Sequence, residues 1–255
     1  MQLAAEIQQR FGAAAARYAE SDYHGAGPDL AAMLEAARLR GDERVLDVGC
    51  GAGHTALRFA PRVAEVVAVD LTEAMLEQAR ALAAARGLAN VRCERGDAHA
   101  LAYPEASFDV VTCRVCAHHF ARPERAVREA ARVLRPGGRF VLVDSVVPDD
   151  AAQDTFLNAI EWLRDPSHVR NHAVAQWLAW MRDAGLEAEW RETFRLDLDL
   201  EAWGSRIGTP APRVALLREL LEGAVAEVRA GLGVRGGERA GFEIPIALFL
   251  GLRPA

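Results

Sequence analysis

The 255-residue sequence contains no lysine, and all 30 of its basic residues are arginine. Schiff-base chemistry and the lysine of a Walker-type phosphate loop are therefore both excluded. Cysteine is sparse: four residues, unevenly spaced, make no disulfide framework, which agrees with a reducing compartment. Long apolar runs are missing too. The longest, Ile244 to Leu252, carries Pro245 inside it and falls far short of the roughly 18 residues a membrane helix needs. The opening "MQLAAEIQQRFGAAAARY" mixes charges into short apolar pieces and lacks the basic flank and continuous core of a secretory signal. The expectation is a cytoplasmic protein without membrane association. Positive charge is not in excess either: the net charge is −6 and the pI about 5.7, which argues against a nucleic-acid partner.

What is present is a chain with 51% hydrophobic residues, enough for a sizeable core in one α/β domain. After "DLAAMLEAARLR" (29–40), helical in spacing and stopped by Gly41, strand-like runs alternate with helical ones. The strands are "RVLDVGC", "EVVAVD", "NVRCERGD", "FDVVTCR" and "GRFVLVDS". The helices between them include Glu73 to Arg86 and Pro123 to Leu134, and the turn Arg135-Pro136-Gly137-Gly138 precedes the fifth strand. Such alternation implies a parallel sheet covered on both faces. Past Pro148 the rhythm changes. Residues 151–184 read as helical, 187–198 as a sixth strand, 211–230 as a helix and 242–252 as a last strand.

The sharpest local signal is "VLDVGCGAGH", where Gly49, Gly51 and Gly53 leave a strand and open a helix. Glycine there permits a tight turn and close approach of a ligand, while N–H groups at the helix start attract negative charge. Asp70 ends the second strand, where a carboxylate accepts from both hydroxyls of a ribose, and Asp97 ends the third, beside the place of a base. Each Asp alone is equally a helix cap; their order and spacing together fit an adenosyl ligand. A nicotinamide cofactor is the rival, but its fingerprint wants glycine where this chain has His54.

With "VLDVGCGAGHTA", "VVAVDLTEAML", "GDAHALAYPEASFDVVTCR", "HHF" and "EAARVLRPGGRFVLVD", over about residues 42–145, the sequence resembles the class I S-adenosylmethionine-dependent methyltransferases, in the branch similar to ubiquinone and menaquinone biosynthesis enzymes. The resemblance implies a Rossmann-like, doubly wound, seven-stranded, mostly parallel sheet whose last strand is antiparallel. It implies one domain over 1–255: an N-terminal helical lid (1–40), a cofactor-binding core (41–148), a helical insertion or cap after strand five (149–185) and a C-terminal part completing the sheet (186–255). The implied cofactor is S-adenosyl-L-methionine, with S-adenosyl-L-homocysteine as product. Gly49 to Gly53 would wall the methionine moiety, Asp70 with Leu71 and Met75 would hold the ribose side, and Asp97 with Ala98 the adenine. Asp47 would brace the turn or meet the cofactor's amino group, and the backbone near Arg114 would touch the cofactor.

The stretch "CRVCAHHF" (113–120) acquires its meaning from its place after the fourth strand. Haem attachment needs histidine where Ala117 stands, and zinc lacks further spaced ligands, so no metal is expected. A redox pair stays open, though Cys113 at the end of a central strand behaves as a small hydrophobe. His119, with His118 second, is the candidate for taking a proton from a methyl acceptor, and Asp144 at the end of strand five is a further acid or base. The alternative for either histidine is packing or capping. The nucleic-acid methylation signature Asn/Asp-Pro-Pro-aromatic is absent here, so the implied acceptor is a small molecule. Its pocket is expected from Phe11, Tyr18 and Tyr23, from Trp162, His168, Arg170, His172 and Trp177, and from Trp203 to Arg206. A homodimer is compatible with the sequence. Two other uses of the same site stay open: a cofactor-binding module without turnover, and an enzyme using the sulfonium charge without transferring the methyl, as in a cyclisation.

Overall fold

The computed structural model describes residues 2–255. Helices α1 (Gln2–Ala19), α2 (Asp22–Ala26) and α3 (Pro28–Ala37) precede the sheet. Then follow β1 (Arg44–Val48), α4 (His54–Phe59), β2 (Glu65–Asp70), α5 (Glu73–Ala85), β3 (Val91–Arg95), β4 (Phe108–Arg114), α6 (Pro123–Val133) and β5 (Leu134–Val147). The remainder is α7 (Ala151–Arg164), β6 (His172–Ala173), α8 (Val174–Asp183), β7 (Glu187–Asp199), α9 (Leu200–Ile207), α10 (Ala211–Gly223), α11 (Ala226–Leu232) and β8 (Gly241–Leu252).

The strands lie in the order β3-β2-β1-β4-β5-β8-β7, with the two-residue β6 attached to β5. The neighbours from β3 to β5 pair in parallel, and only β8 runs against the rest. The expected seven strands are thus present, and β6 makes an eighth. Side-chain alternation explains why the strands read as continuous apolar runs. Val45, Val66, Ala68, Val110, Val141 and Val143 pack into the core on one face. Leu46, Val67, Val69, Val111, Cys113 and Leu142 pack into the core on the other. Strands covered on both faces have no polar side to show. Among the described residues no helix is long and apolar enough to cross a membrane.

Five expectations need adjustment. Helix α3 stops at Ala37, because Arg38 takes a left-handed conformation (φ 46°) and ends it before Gly41. The same helix packs on β5 and β8 and sends Met33, Leu34 and Ala37 into the core, so it is not part of the expected N-terminal lid. The stretch 149–185, expected as one cap, divides between the two faces of the sheet: Leu157 and Ile160 of α7 enter one core, Trp177 and Met181 of α8 the other. The single helix expected over 211–230 breaks after Gly223 into α10 and α11. Finally, the Arg-Pro-Gly-Gly turn sits within β5 as an irregularity: Phe108 pairs with Leu134 and Val110 with Arg139, so residues 135–138 loop out, with Gly137 at φ 75°.

The topology has one switch point that matters. From β1 the chain winds outward to β2 and β3, then returns to place β4 on the other side of β1, with Val48 opposite Cys113. The loops leaving β1 and β4 diverge there, opening a crevice at the carboxyl ends of the strands.

Candidate active site

A cavity of about 310 Å³ occupies that crevice, within the usual range of small-molecule sites. Its floor is the glycine turn. Gly49 has φ 66°, and a β-carbon on it would overlap the Cys116 sulfur, so glycine is what lets the exits of β1 and β4 touch. Gly51 (φ 52°) lines the cavity, and a β-carbon there would meet no protein atom within 4 Å and would stand in the open space. Gly53 does not line it. Its place is set by packing, since a β-carbon would lie 2.8 Å from Ala79 of α5.

Three N–H groups of the turn, itself expected to face a ligand, are occupied within the protein. Gly51 N–H donates to Asp70 Oδ2 at 2.8 Å, Cys50 N–H to the Val69 carbonyl, and Gly53 N–H to the Cys50 carbonyl. Asp70 Oδ1 also accepts from Thr72 N–H at 2.8 Å. Burial raises the Asp70 pKa, and these N–H bonds only partly oppose it. Each oxygen accepts one bond and retains a lone pair, so the carboxylate stands fixed in the cavity wall with two acceptor positions to spare. Leu71, Met75, Asp97 and Ala98 line the same cavity. Asp97 Oδ1 accepts from the backbone N–H and the Nδ1 of His99 at 2.9 and 2.7 Å. These residues fit the expected adenosyl cofactor: an anchored carboxylate for hydroxyls, an open glycine floor and a second acidic rim.

Asp47 takes the first of its two expected roles, and Arg114, expected through its backbone, lines the cavity while its side chain turns to the protein. Asp47 lies under the turn, away from the cavity lining, accepting from Ala56 N–H at 3.1 Å and Thr112 Oγ1 at 2.7 Å, and burial pushes its pKa up to about 7. It braces the turn. Arg114 reaches the cavity wall, but its guanidinium forms a bidentate pair with buried Asp29 at 2.5 and 3.1 Å and donates to the carbonyls of His24 and Tyr23. It fastens the N-terminal helices to the end of β4.

The two histidines separate cleanly. His119 lines the cavity, buried, with Phe11 edge-on at 4.9 Å. Its Nδ1 donates to the Ser167 carbonyl at 2.9 Å, which leaves the lone pair on Nε2. Burial, then the neighbouring His118, push its pKa down to about 4. His118 does not line the cavity; its Nδ1 donates to Asp144 Oδ1 at 2.6 Å, and its backbone N–H to Oδ2 at 3.1 Å. Burial pulls the His118 pKa down, but the Asp144 charge and hydrogen bond outweigh it and leave it raised. Fully buried Asp144 is likewise off the cavity, with its pKa lowered by His118 and backbone N–H groups against the effect of burial. The pair supports the turn that carries His119; neither member faces the cavity as the expected acid or base would.

Of the expected acceptor contacts, Tyr18 and Phe11 of α1 line the cavity. Tyr23 does not; its ring lies under the Arg114 guanidinium at 5.3 Å. His168 is buried behind His118 and His119 and bonds Asn158 Oδ1 at 3.2 Å. Arg170 is tied to Asp154, and His172 sits in β6 against the rings of Trp177 and Trp180. Trp177 is core and Trp162 is about half exposed (52%), so neither is a cavity wall. The sequence reading passed over Leu3, Ile7, His24, His54 and His99. The one available signal was that Leu3, Ile7 and Phe11 recur at helical spacing along α1.

The profile of a methyltransferase domain matches residues 46–142. A Bacillus subtilis protein described as an uncharacterized methyltransferase, YcgJ, is 42% identical over 83% of this chain and 84% of its own length. Its crystal structure superposes with a TM-score of 0.86 at 39% identity, covering 89% of this chain and 98% of that one. The 27-O-demethylrifamycin SV methyltransferase of Amycolatopsis mediterranei is 34% identical over 68% of each chain.

Proposed function

Since the chain belongs to the class I methyltransferases, we propose that it binds S-adenosyl-L-methionine in the crevice and methylates a small molecule carrying an already acidic O–H or C–H, releasing S-adenosyl-L-homocysteine. The observation that carries the reading is a pair of residues lining one cavity: Asp70, fixed by two backbone N–H groups, and His119, whose Nε2 is free.

When bound, the cofactor supplies a methyl carbon made electrophilic by the adjoining sulfonium. Of the residues lining the cavity, Asp70 would accept from the ribose hydroxyls, Asp97 and Ala98 would border the base, and Gly49 and Gly51 would leave room for the methionine portion. The protein's main contribution is alignment, because holding reactants in line supplies several kcal/mol without any special group. Helix α1 lays Leu3, Ile7, Phe11 and Tyr18 over the mouth, which excludes water and favours an acceptor with an apolar body. His119 stays neutral at physiological pH and can accept a proton, but with its pKa near 4 it is a weak base. A simple alcohol is beyond it. A phenol, an enol or a carbon between electron-withdrawing groups is within reach.

The net negative charge supports a small-molecule acceptor over nucleic acid. The deciding experiment is calorimetric titration with S-adenosyl-L-homocysteine and, separately, with a nicotinamide dinucleotide. It is followed by assay of S-adenosyl-L-homocysteine formation from S-adenosyl-L-methionine against a panel of phenols, enols and amines. Binding of the first ligand alone, with turnover on an acidic O–H or C–H, supports the proposal. Preference for the dinucleotide, or turnover on amines alone, overturns it.

A further inference from the structure

Just beyond α7 the chain buries a carboxylate that contacts with the cofactor do not explain. Asp165 is wholly inaccessible. Its Oδ1 accepts from the Ser167 backbone N–H at 2.9 Å and from the Ser167 hydroxyl at 2.8 Å, while its Oδ2 has no partner among the described residues. An Asp turn of this kind is ordinarily a surface feature. Here it is sealed inside, where an unpaired carboxylate oxygen is costly. Its nearest cation is Arg10 of α1, 3.6 Å from Oδ1, and Arg10 already pairs with Glu6 at 2.6 Å.

The consequence of that turn lies one bond further on. Fixing both the N–H and the hydroxyl of Ser167 fixes the residue whose carbonyl meets His119 Nδ1 at 2.9 Å. A carbonyl oxygen carries no hydrogen, so this contact is a hydrogen bond only while Nδ1 holds the proton. A neutral imidazole with its proton there has its lone pair on Nε2. Were the Ser167 carbonyl free to turn away, the proton could sit on either nitrogen, and His119 would lose its acceptor for part of the time.

We infer that Asp165 is a positioning residue: through Ser167 it holds His119 in the single tautomer that leaves Nε2 free. The value of that arrangement rests on His119 being the proton acceptor of the proposed reaction, but the tautomer itself can be observed without any acceptor molecule.

The test is nitrogen-resolved NMR on protein labelled with ¹⁵N-histidine at neutral pH, with the His119 signals assigned by their loss in His119→Gln. The wild-type protein should show His119 protonated on Nδ1 only. Asp165→Ala should show both tautomers, and Asp165→Asn, which keeps an acceptor oxygen for Ser167, should restore the wild-type pattern. Should Asp165→Ala fail to fold, Ser167→Ala decides, because it removes the hydroxyl's 2.8 Å bond to Asp165, along with its longer 3.5 Å contact to His119 Nδ1, and leaves the carbonyl in place; the second tautomer should emerge there as well. A folded Asp165→Ala, or in its stead Ser167→Ala, that binds S-adenosyl-L-homocysteine like the wild type and keeps one tautomer would overturn the inference. Calorimetry with S-adenosyl-L-homocysteine separates the two claims: loss of binding in the wild-type protein would sink the methyltransfer reading and leave the tautomer result standing.

Discussion

Gly49 and Cys116 occupy adjoining space, such that a β-carbon on the first would overlap the sulfur of the second. The contact joins the exits of β1 and β4, the two strands that border the crevice. Gly49→Ala should therefore destabilise the fold by about 1–3 kcal/mol, combining left-handed strain with overpacking. Gly51→Ala meets no protein atom and should cost about 1 kcal/mol in stability while still reducing affinity for S-adenosyl-L-homocysteine. Denaturant unfolding and calorimetry on both variants check the contrast. Equal stability losses would refute it.

Asp70 offers two spare acceptor positions in the cavity wall. Asp70→Ala should weaken S-adenosyl-L-homocysteine binding by about 1–3 kcal/mol, roughly five- to 150-fold. The loss of its bonds to Gly51 and Thr72 should also loosen the turn, visible as faster amide exchange there. Unchanged affinity by calorimetry would place the ligand elsewhere.

His119→Gln should lower turnover on an acidic acceptor by about two to four powers of ten while leaving S-adenosyl-L-homocysteine affinity nearly intact. Equal loss of affinity would mark His119 as a binding residue instead.

The same histidine should leave a mark on acid stability. Its folded pKa, about 4, lies below the ordinary histidine value of 6.5. Between those values the unfolded chain binds a proton that the folded protein refuses, so this group's contribution grows as pH rises from about 4 to about 6.5 and is constant above. The span corresponds to about 3 kcal/mol. Asp47, pushed up by burial to about 7, pulls in the opposite direction over much of that range. The readout is therefore the difference between His119→Gln and wild type in urea midpoints at pH 4.5 and 7. The variant should lose less stability on acidification, and parallel losses would contradict the buried neutral imidazole.

Trp177 and Trp162 make a further contrast. Trp177, 1% exposed between α8 and β8, should cost about 3–5 kcal/mol when replaced by alanine, whereas Trp162, 52% exposed, should cost little. Neither change should alter affinity for S-adenosyl-L-homocysteine, which calorimetry on folded protein would verify.

The core of the fold was legible because its signals are local. Strands covered on both faces show as apolar runs, and the glycines, Asp70 and Asp97 sit at strand ends where topology alone brings them together. For Asp47 and Arg114 the sequence left the partner open: a polar residue at a strand end looks the same whether it meets a ligand or another buried group, and the partners, Thr112 and Asp29, come from elsewhere in the chain. The same holds for His168, Arg170 and His172, polar residues in a connector that turn to Asn158, Asp154 and the tryptophans rather than to the cavity. The division of 149–185 between two faces was not legible, because helical periodicity reveals an apolar stripe but not the side of the sheet that receives it.

The reversed direction of β8 carries a practical corollary. Its end, Leu252, pairs with Arg139 near the start of β5, and Arg253 exchanges backbone bonds with Gly137 and Gly138, so the chain leaves the sheet at the rim remote from the crevice. An anchor fused past Arg253 would hold the molecule on a sensor surface by the rim away from the crevice, whereas one attached ahead of Leu3 would crowd the cavity that Leu3 and Ile7 of α1 line.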